Sequence, residues 1–563
     1  MRKVSELPYE RVKCEDVISV IRNCAEKATN AKSGEELAAL RSECLKSIFH
    51  CHTMFSLSYT RFTLNTRDEF YSGEKDYYDE ALPKISAEFV KFQKAFLNSP
   101  HLKEAEKFVH PLIIKQYALS VKCASDEAIP FKVEENKIVT EYTKLMAETL
   151  FEFDGEKMPL SALKKHMSAQ KREVREKAYQ ALGKTLSSIG DKLDDIFDRL
   201  VKVRTKTAQV LGYENFVQLG DNLLGRISYN RDMIRAFREN VRRDVVPAVT
   251  KLKKELQKSL GIEKFMLYDN DTYFLDGNPT PSIDAQAMFE AGKEMYRDMG
   301  KDTGEFFDMM LETEAFDVFP REGKWGGGYM DSFIDFKQPF ILANFNGTSG
   351  DVDVLTHEAG HAFAAYMSFK LNHDPDLGLG METAETHSMS MEFLCYKYMN
   401  KFFGNRAQDY KYAHLFEAVN FIPYGTIVDY FQEIVYSKPE MTPAERNKLW
   451  NELEAEFRPF LTASGIPYLE NGTRWQYQMH IYETPFYYID YCLAQSVALQ
   501  FYLKSREDYG KAFNSYLGFV RSGATEEFPR LITNAGLSSP FENGALKKLA
   551  DNVEKALDEL KKQ

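Results

Sequence analysis

Between residues 10 and about 265 the chain repeats apolar residues every three or four positions, with charged residues between them and few prolines or glycines. That spacing puts apolar side chains on one face of an α-helix and leaves little room for strands. In KREVREKAYQALGKTLSSIGDKLDDIFDRLVKVRTKTAQVLG, residues 171 to 212, the stripe runs through Val174, Ala178, Leu182, Leu186 and Ile189. Near the C-terminus, ALKKLADNVEKALDELKK repeats it with Leu546, Leu549, Val553, Ala556, Leu557 and Leu560, which predicts a surface helix packed on one face. A helix start is written into TPAERNKLWNEL: Thr442 can cap, Pro443 suits the first turn and Glu445 can reach back. The chain is therefore predicted to be mainly α, without internal repeats or low-complexity linkers.

A length of 563 residues allows two or three domain-sized lobes. The DGEKMP turn suggests a boundary near residue 160, separating an N-terminal helical lobe (1–160) from a region 161–563. The formal charge of -12 argues against nucleic-acid or anionic-membrane partners. No run approaches the ~18 uninterrupted apolar residues of a spanning helix, and no apolar stretch follows the early basic residues as a secretory signal would require. Cys14, Cys24, Cys44, Cys51, Cys123, Cys395 and Cys492 are odd in number, scattered and without a C-x-x-C pair. They fit a reducing, cytoplasmic compartment and exclude cysteine-based zinc sites.

One segment breaks the helical rhythm, FDVFPREGKWGGGYMDSFIDFKQPFILANFNGTSGDVDVLTHE at 316 to 358. Gly326, Gly327 and Gly328 permit tight turning, and PFILANF, residues 339 to 345, is predicted to be a strand of a small sheet. Such a strand could pair with an extended peptide substrate. Directly after it comes LTHEAGHAF, in which His357 and His361 stand four apart with Glu358 between them. On a helix, positions i and i+4 share a face, so both imidazoles can point at one ion while Glu358 sits beside it. The plain alternative is a partly buried helix with three satisfied polar residues. Around the motif the sequence is dense in Ala, Leu and Phe, with Asp351 or Asp353 as possible caps. Burying three polar groups there costs several kcal/mol unless they are satisfied, and a metal satisfies all three together.

Ala364 and Met367 exclude a third histidine of the H-E-x-x-H-x-x-G-x-x-H kind. GLGMETAETHSMSMEFL offers Glu382, Glu385, His387 and Glu392 on a following helix. Glu385 and Glu392, seven apart, share a face, so one can ligate while the other orients a ligand histidine. Glu382 lies three residues before Glu385, and spacing alone does not separate the two.

With HEAGHA at 357 to 362 followed by ETHSMSME at 385 to 392, the chain resembles the zinc oligopeptidase family that contains thimet oligopeptidase and oligoendopeptidase F. It is most similar to the bacterial oligoendopeptidase F branch. The resemblance covers most of residues 165 to 545, including PREGKWGGGYMDSF and FIPYGTIVDYFQ. It implies one Zn2+ per chain on His357, His361 and Glu385, with Glu358 as general base and Glu392 behind a ligand histidine. It further implies a large helical shell around a deep channel, with a small sheet beside the zinc helix, that admits short unfolded peptides. A downstream His and Tyr segment of the family is matched by MHIYETPFYYIDYCLAQ at 479 to 495. There His480, Tyr488 and Tyr491 are implied as donors to the developing oxyanion, with Tyr482 and Tyr487 as further candidates. Thr484 and Pro485 are expected to start a helix that leaves His480 in the preceding loop.

Two other readings compete. A carboxypeptidase or dipeptidyl carboxypeptidase would use the same chemistry and need a cation for the substrate's terminal carboxylate, for which Arg474 is available. A helical peptide binder with a relict zinc site would lack turnover. Imidazole and carboxylate ligands also accept cobalt or manganese.

Overall fold

The stripe of residues 171–212 becomes one helix of 39 residues, Arg172–Val210, in a computed structural model that describes residues 2–562. Ala178, Leu182 and Leu186 are buried along it, while Val174 and Ile189 lie half-buried at the margin of the stripe. A Cβ at Gly183 would stand 2.0 Å from the carbonyl oxygen of Pro467, so this glycine lets a loop lie against the helix. The C-terminal helix, Ala545–Lys562, buries Leu546, Leu549, Val553, Ala556 and Leu557 and leaves Leu560 half-buried. Thr442 and Glu445 form the expected capping box at the head of Pro443–Phe457. The chain is 71% helical, with only small sheets.

Contacts divide the chain into two units that interleave along the sequence. The first comprises Met1–Ala124, Thr280–Ala407 and Lys504–Leu537; the second comprises Ser125–Pro279, Gln408–Leu503 and Ser538–Gln563. In the second unit the DGEKMP turn proves to be the bend of a hairpin, β1 (Phe151–Phe153) with β2 (Glu156–Met158), paired antiparallel. Asp154 at φ 49° and Gly155 at φ 85° supply the positive dihedrals a two-residue hairpin needs. Too short to show an apolar alternation, this hairpin was not expected.

In the first unit, β3 (Phe316–Asp317), β4 (Tyr329–Phe333) and β5 (Gln338–Leu342) form a sheet in the order β3-β5-β4. The PFILANF run supplies β5, which is buried throughout. It runs parallel to β3 and antiparallel to β4. With a strand on either side, β5 is not the edge that a substrate could join, contrary to the expectation above; β4 stands at the edge instead.

After the sheet come the motif helix, Ser349–Lys370, and a second helix, Met381–Leu394, packed against it. Their closest approach is at Gly360, where a Cβ would lie 2.5 Å from Ser388 Cα and 2.9 Å from the His387 carbonyl oxygen. Both are backbone atoms and cannot step aside. Gly360→Ala is therefore expected to force the helices apart and destabilise the protein by about 3 kcal/mol, net of the ~1 kcal/mol that alanine's helix propensity returns. Denaturant unfolding checks this; an unchanged midpoint would mean the approach is looser than described. All seven cysteines are free and buried, and no helix among the described residues is long and apolar enough to cross a membrane.

Candidate metal centre

The motif helix starts at Ser349, so Asp351 and Asp353 fall inside its first turns instead of capping it. Asp351 is buried, and its carboxylate accepts from the backbone N–H groups of Asn346 at 2.9 Å and Gly347 at 2.7 Å. This ties the turn after the sheet to the start of the helix. Leu355, Ala359, Ala362 and Phe363 fill the buried face, and His357, Glu358 and His361 occupy the half-buried one.

The structure brings His357, His361 and Glu385 into one group, their ligand atoms all within 4.8 Å of one another. Glu385 Oε2 lies 3.4 Å from His357 Nε2 and 3.6 Å from His361 Nε2. Ligands about 2.0–2.1 Å from a tetrahedral zinc ion stand about 3.3 Å apart, so these spacings are close to the edges of such a tetrahedron. Glu382 is buried but is not part of the group.

On the far side of the ring, His357 Nδ1 donates to Glu392 Oε1 at 2.5 Å. That contact orients the ring so that Nε2 faces Glu385. Burial opposes a charged His357, yet the hydrogen bonds to Glu385 and Glu392 outweigh it and hold its pKa well above the ordinary value. Likewise, burial would raise Glu385, but His357 and His361 bring it below the usual carboxylate range. The three side chains thus form a close-packed acid and base cluster in which a divalent cation could take the place of the shared protons. Glu358, half-buried next to His357, has no hydrogen bond or ion pair among the described residues, which leaves its carboxylate available to a proton.

Ser388 was quoted in the motif but given no role by the sequence. Its hydroxyl donates to the Glu385 carbonyl at 3.0 Å and lies 3.3 Å from Glu385 Oε2, so it steadies the carboxylate of the group. The serine position of the E-x-x-S pattern was the available signal. His387 is 1% exposed, and its ring nitrogens have no hydrogen-bond partner. It stands outside the metal group.

His480, Tyr488 and Tyr491 belong to the second unit. Their rings cluster, with centroids 5.0 Å apart for His480 and Tyr488 and 5.5 Å for Tyr488 and Tyr491. His480 lies in the short helix Met479–Glu483 and not in a loop. The long helix begins only at Tyr488, because Phe486 at φ 67° interrupts the turn that Thr484 and Pro485 were expected to open. Asp490 in its first turn is held by Arg226 at 2.8 Å and Tyr229 at 2.9 Å. Burial keeps the Tyr488 hydroxyl well above its usual pKa, hence protonated. Tyr487 stays among the half-buried rings, 4.8 Å from Tyr491. Tyr482 does not: it is fully buried, stacked 3.9 Å from Tyr142, and its hydroxyl donates to the Leu193 carbonyl.

The chain matches peptidase family M3 over residues 165–551 and the peptidase M3 N-terminal domain over residues 4–124. The solved structure of PZ peptidase A with an inhibitor has a TM-score of 0.92 at 39% identity, covering 99% of each chain. The oligoendopeptidase F homolog of Borreliella burgdorferi is 25% identical over 225 residues, 38% of this chain and 37% of the relative. Oligopeptidase PepF of Bacillus subtilis is 22% identical over 337 residues, 57% of this chain and 49% of the relative. The chain thus spans less than half the length of these two curated relatives. Matched over most of its own length, with the motif helix inside the match, the chain belongs to peptidase family M3.

Proposed function

We propose that this protein is a zinc-dependent oligoendopeptidase that hydrolyses internal bonds of short unfolded peptides. The observation that carries the reading is the group of His357, His361 and Glu385 beside a Glu358 carboxylate with no partner of its own. When bound to that group, zinc would supply a Lewis acid that polarises a carbonyl and acidifies water. Glu358 takes the proton of the attacking water and returns it to the leaving amine. Glu392 holds His357 in its ligating tautomer, and Ser388 steadies Glu385. Following the family resemblance, His480, Tyr488 and Tyr491 are assigned as donors to the developing oxyanion. Along the chain, residues 1–160 precede the catalytic region 161–563, and the site of action is the cytoplasm.

Arg474, the cation available to a carboxypeptidase, is already engaged. It donates to Glu454 Oε1 at 2.7 Å and stacks 4.4 Å over the Tyr424 ring, so a substrate carboxylate would have to displace a buried partner. Mass spectrometry of the products from a ten-residue peptide separates the two readings: internal fragments support the endopeptidase, and stepwise loss from the C-terminus contradicts it. Glu392→Gln is expected to weaken zinc affinity by about 10–100-fold, with turnover recovering as free zinc is raised. Turnover that stayed low at saturating zinc would assign Glu392 a different role.

A further inference from the structure

Two helices of the second unit carry His480, Tyr488 and Tyr491, and one residue bends the chain between them. Phe486 is bulky and still sits at φ 67°. Such a conformation costs about 1–3 kcal/mol and persists only where its surroundings enforce it. Here four separate stretches of chain do. The Phe486 carbonyl accepts from Arg226 Nη2 at 2.6 Å, and its N–H donates to Gln432 Oε1 at 3.2 Å. A Cβ at Gly220 would stand 2.5 Å from the Phe486 ring, so glycine there opens the seat that the ring fills. Arg231 covers it, with its guanidinium carbon 4.6 Å from the ring centroid.

Arg226 reaches beyond Phe486. The same Nη2 donates to Asp490 Oδ1 at 2.8 Å, and that oxygen also accepts from the Tyr229 hydroxyl at 2.9 Å. Nε donates to the Tyr229 hydroxyl at 3.2 Å and Nη1 to Asp221, so all three nitrogens are spent within the fold. Asp221 is shared with Arg231, which donates in turn to Asp429 at 2.9 Å. Arg226, Phe486 and Asp490 are buried, whereas Tyr488 and Tyr491 are half-buried. Three residues apart, these two tyrosines share a face of their helix, and Asp490 between them leaves it on another side. Arg226 therefore grips the helix start at two points, from a side that the phenols do not use. The preceding helix, Met479–Glu483, is held likewise: Arg204, fully buried, donates to the carbonyls of Ile481 at 3.4 Å and Tyr482 at 2.5 Å.

Stability alone does not explain this arrangement, because replacing a buried ion pair by apolar residues of similar volume is often neutral or stabilising. A planar guanidinium adds what apolar residues cannot, fixed directions to two acceptors at once. We propose that Arg226 is a positioning residue for the reaction: through Phe486 and Asp490 it sets where the helix Tyr488–Glu507 begins and where Tyr488 and Tyr491 point. It thereby aims their hydroxyls at the developing oxyanion. The proposal rests on the peptidase reading above and adds to it the group that aligns the oxyanion donors.

The test compares the full-length, zinc-loaded protein with its Arg226→Lys variant, which keeps the charge beside Asp221 and Asp490 but loses the fork. On a quenched ten-residue peptide the variant is expected to lose about 100-fold in kcat, with KM within about twofold of the wild type. Its zinc content is expected to be unchanged, and the amides of residues 486–490 to exchange faster with deuterium. In a Tyr488→Phe/Tyr491→Phe background the same substitution is expected to cost less than about threefold, because the groups it aligns are gone. Tyr229→Phe removes one donor to Asp490 and keeps the arginine; it is expected to lose about tenfold in kcat, again only where the two phenols are present. A folding failure of Arg226→Lys leaves this milder variant to decide. An unchanged kcat, or an equal loss in both backgrounds, overturns the positioning role and makes Arg226 a stabiliser of the fold alone. Failure of the peptidase reading looks different: the zinc-loaded wild type cleaves no peptide, while exchange at residues 486–490 still rises in Arg226→Lys.

Discussion

Glu358→Gln is expected to bind zinc as the wild type does and to lose about a thousandfold in kcat/KM on a ten-residue peptide. The amide keeps the size and most of the hydrogen bonding of the carboxylate but cannot accept a proton. Because Glu358 has no hydrogen bond or ion pair among the described residues, the substitution breaks no bond that holds the fold, and the loss would be chemical. Metal analysis together with steady-state kinetics reads both halves of the expectation. Loss of zinc would place Glu358 among the ligands, and retention of most activity would remove it from the proton transfer.

Removing a ligand should act differently. His361→Ala and Glu385→Ala are expected to lose stoichiometric zinc and turnover together, whereas Glu382→Gln is expected to keep both. Glu385 Oε2 lies 3.4 and 3.6 Å from the Nε2 atoms of His357 and His361 and the residue is 5% exposed, so its loss removes the carboxylate that faces both rings. The Lewis-acid contribution lost with the ion is several kcal/mol, and about 4 kcal/mol corresponds to a thousandfold in rate. Glu382, one helical turn earlier, lies outside the ligand group. Zinc lost from the Glu382 variant and kept by the Glu385 variant would reverse the assignment.

The helices were legible wherever an apolar stripe repeats at helical spacing, because burial of that stripe is what makes them stable; residues 171–212 and the C-terminal helix are the examples. The β1–β2 hairpin was missed because three-residue strands carry no periodicity and only the Asp154-Gly155 bend marks them. Strand β5 could be read from its apolar run, but not its place between β3 and β4, since sheet order depends on pairings far apart in sequence. At the site, i, i+4 and i, i+7 spacings show that His357 shares a face with His361 and Glu385 with Glu392. Spacing left Glu382 beside Glu385; the family resemblance favours Glu385. Gly360 and Ser388 act through a crossing of two helices, and Tyr516 reaches the His387 carbonyl at 2.9 Å from well over a hundred residues away. No local pattern encodes such contacts. The helix start at Tyr488 was misread because a positive φ at Phe486 is not something its residue type announces.

The account stands on zinc held by His357, His361 and Glu385 being what hydrolysis requires. The most direct measurement strips the purified protein with a chelator, restores zinc in steps, and follows bound metal and cleavage of a quenched ten-residue peptide in the same samples. The account predicts cleavage that disappears with the metal and returns in proportion to it, reaching full rate at one zinc per chain. Cleavage that persists in the metal-free protein, or that fails to return at one bound zinc, would contradict it.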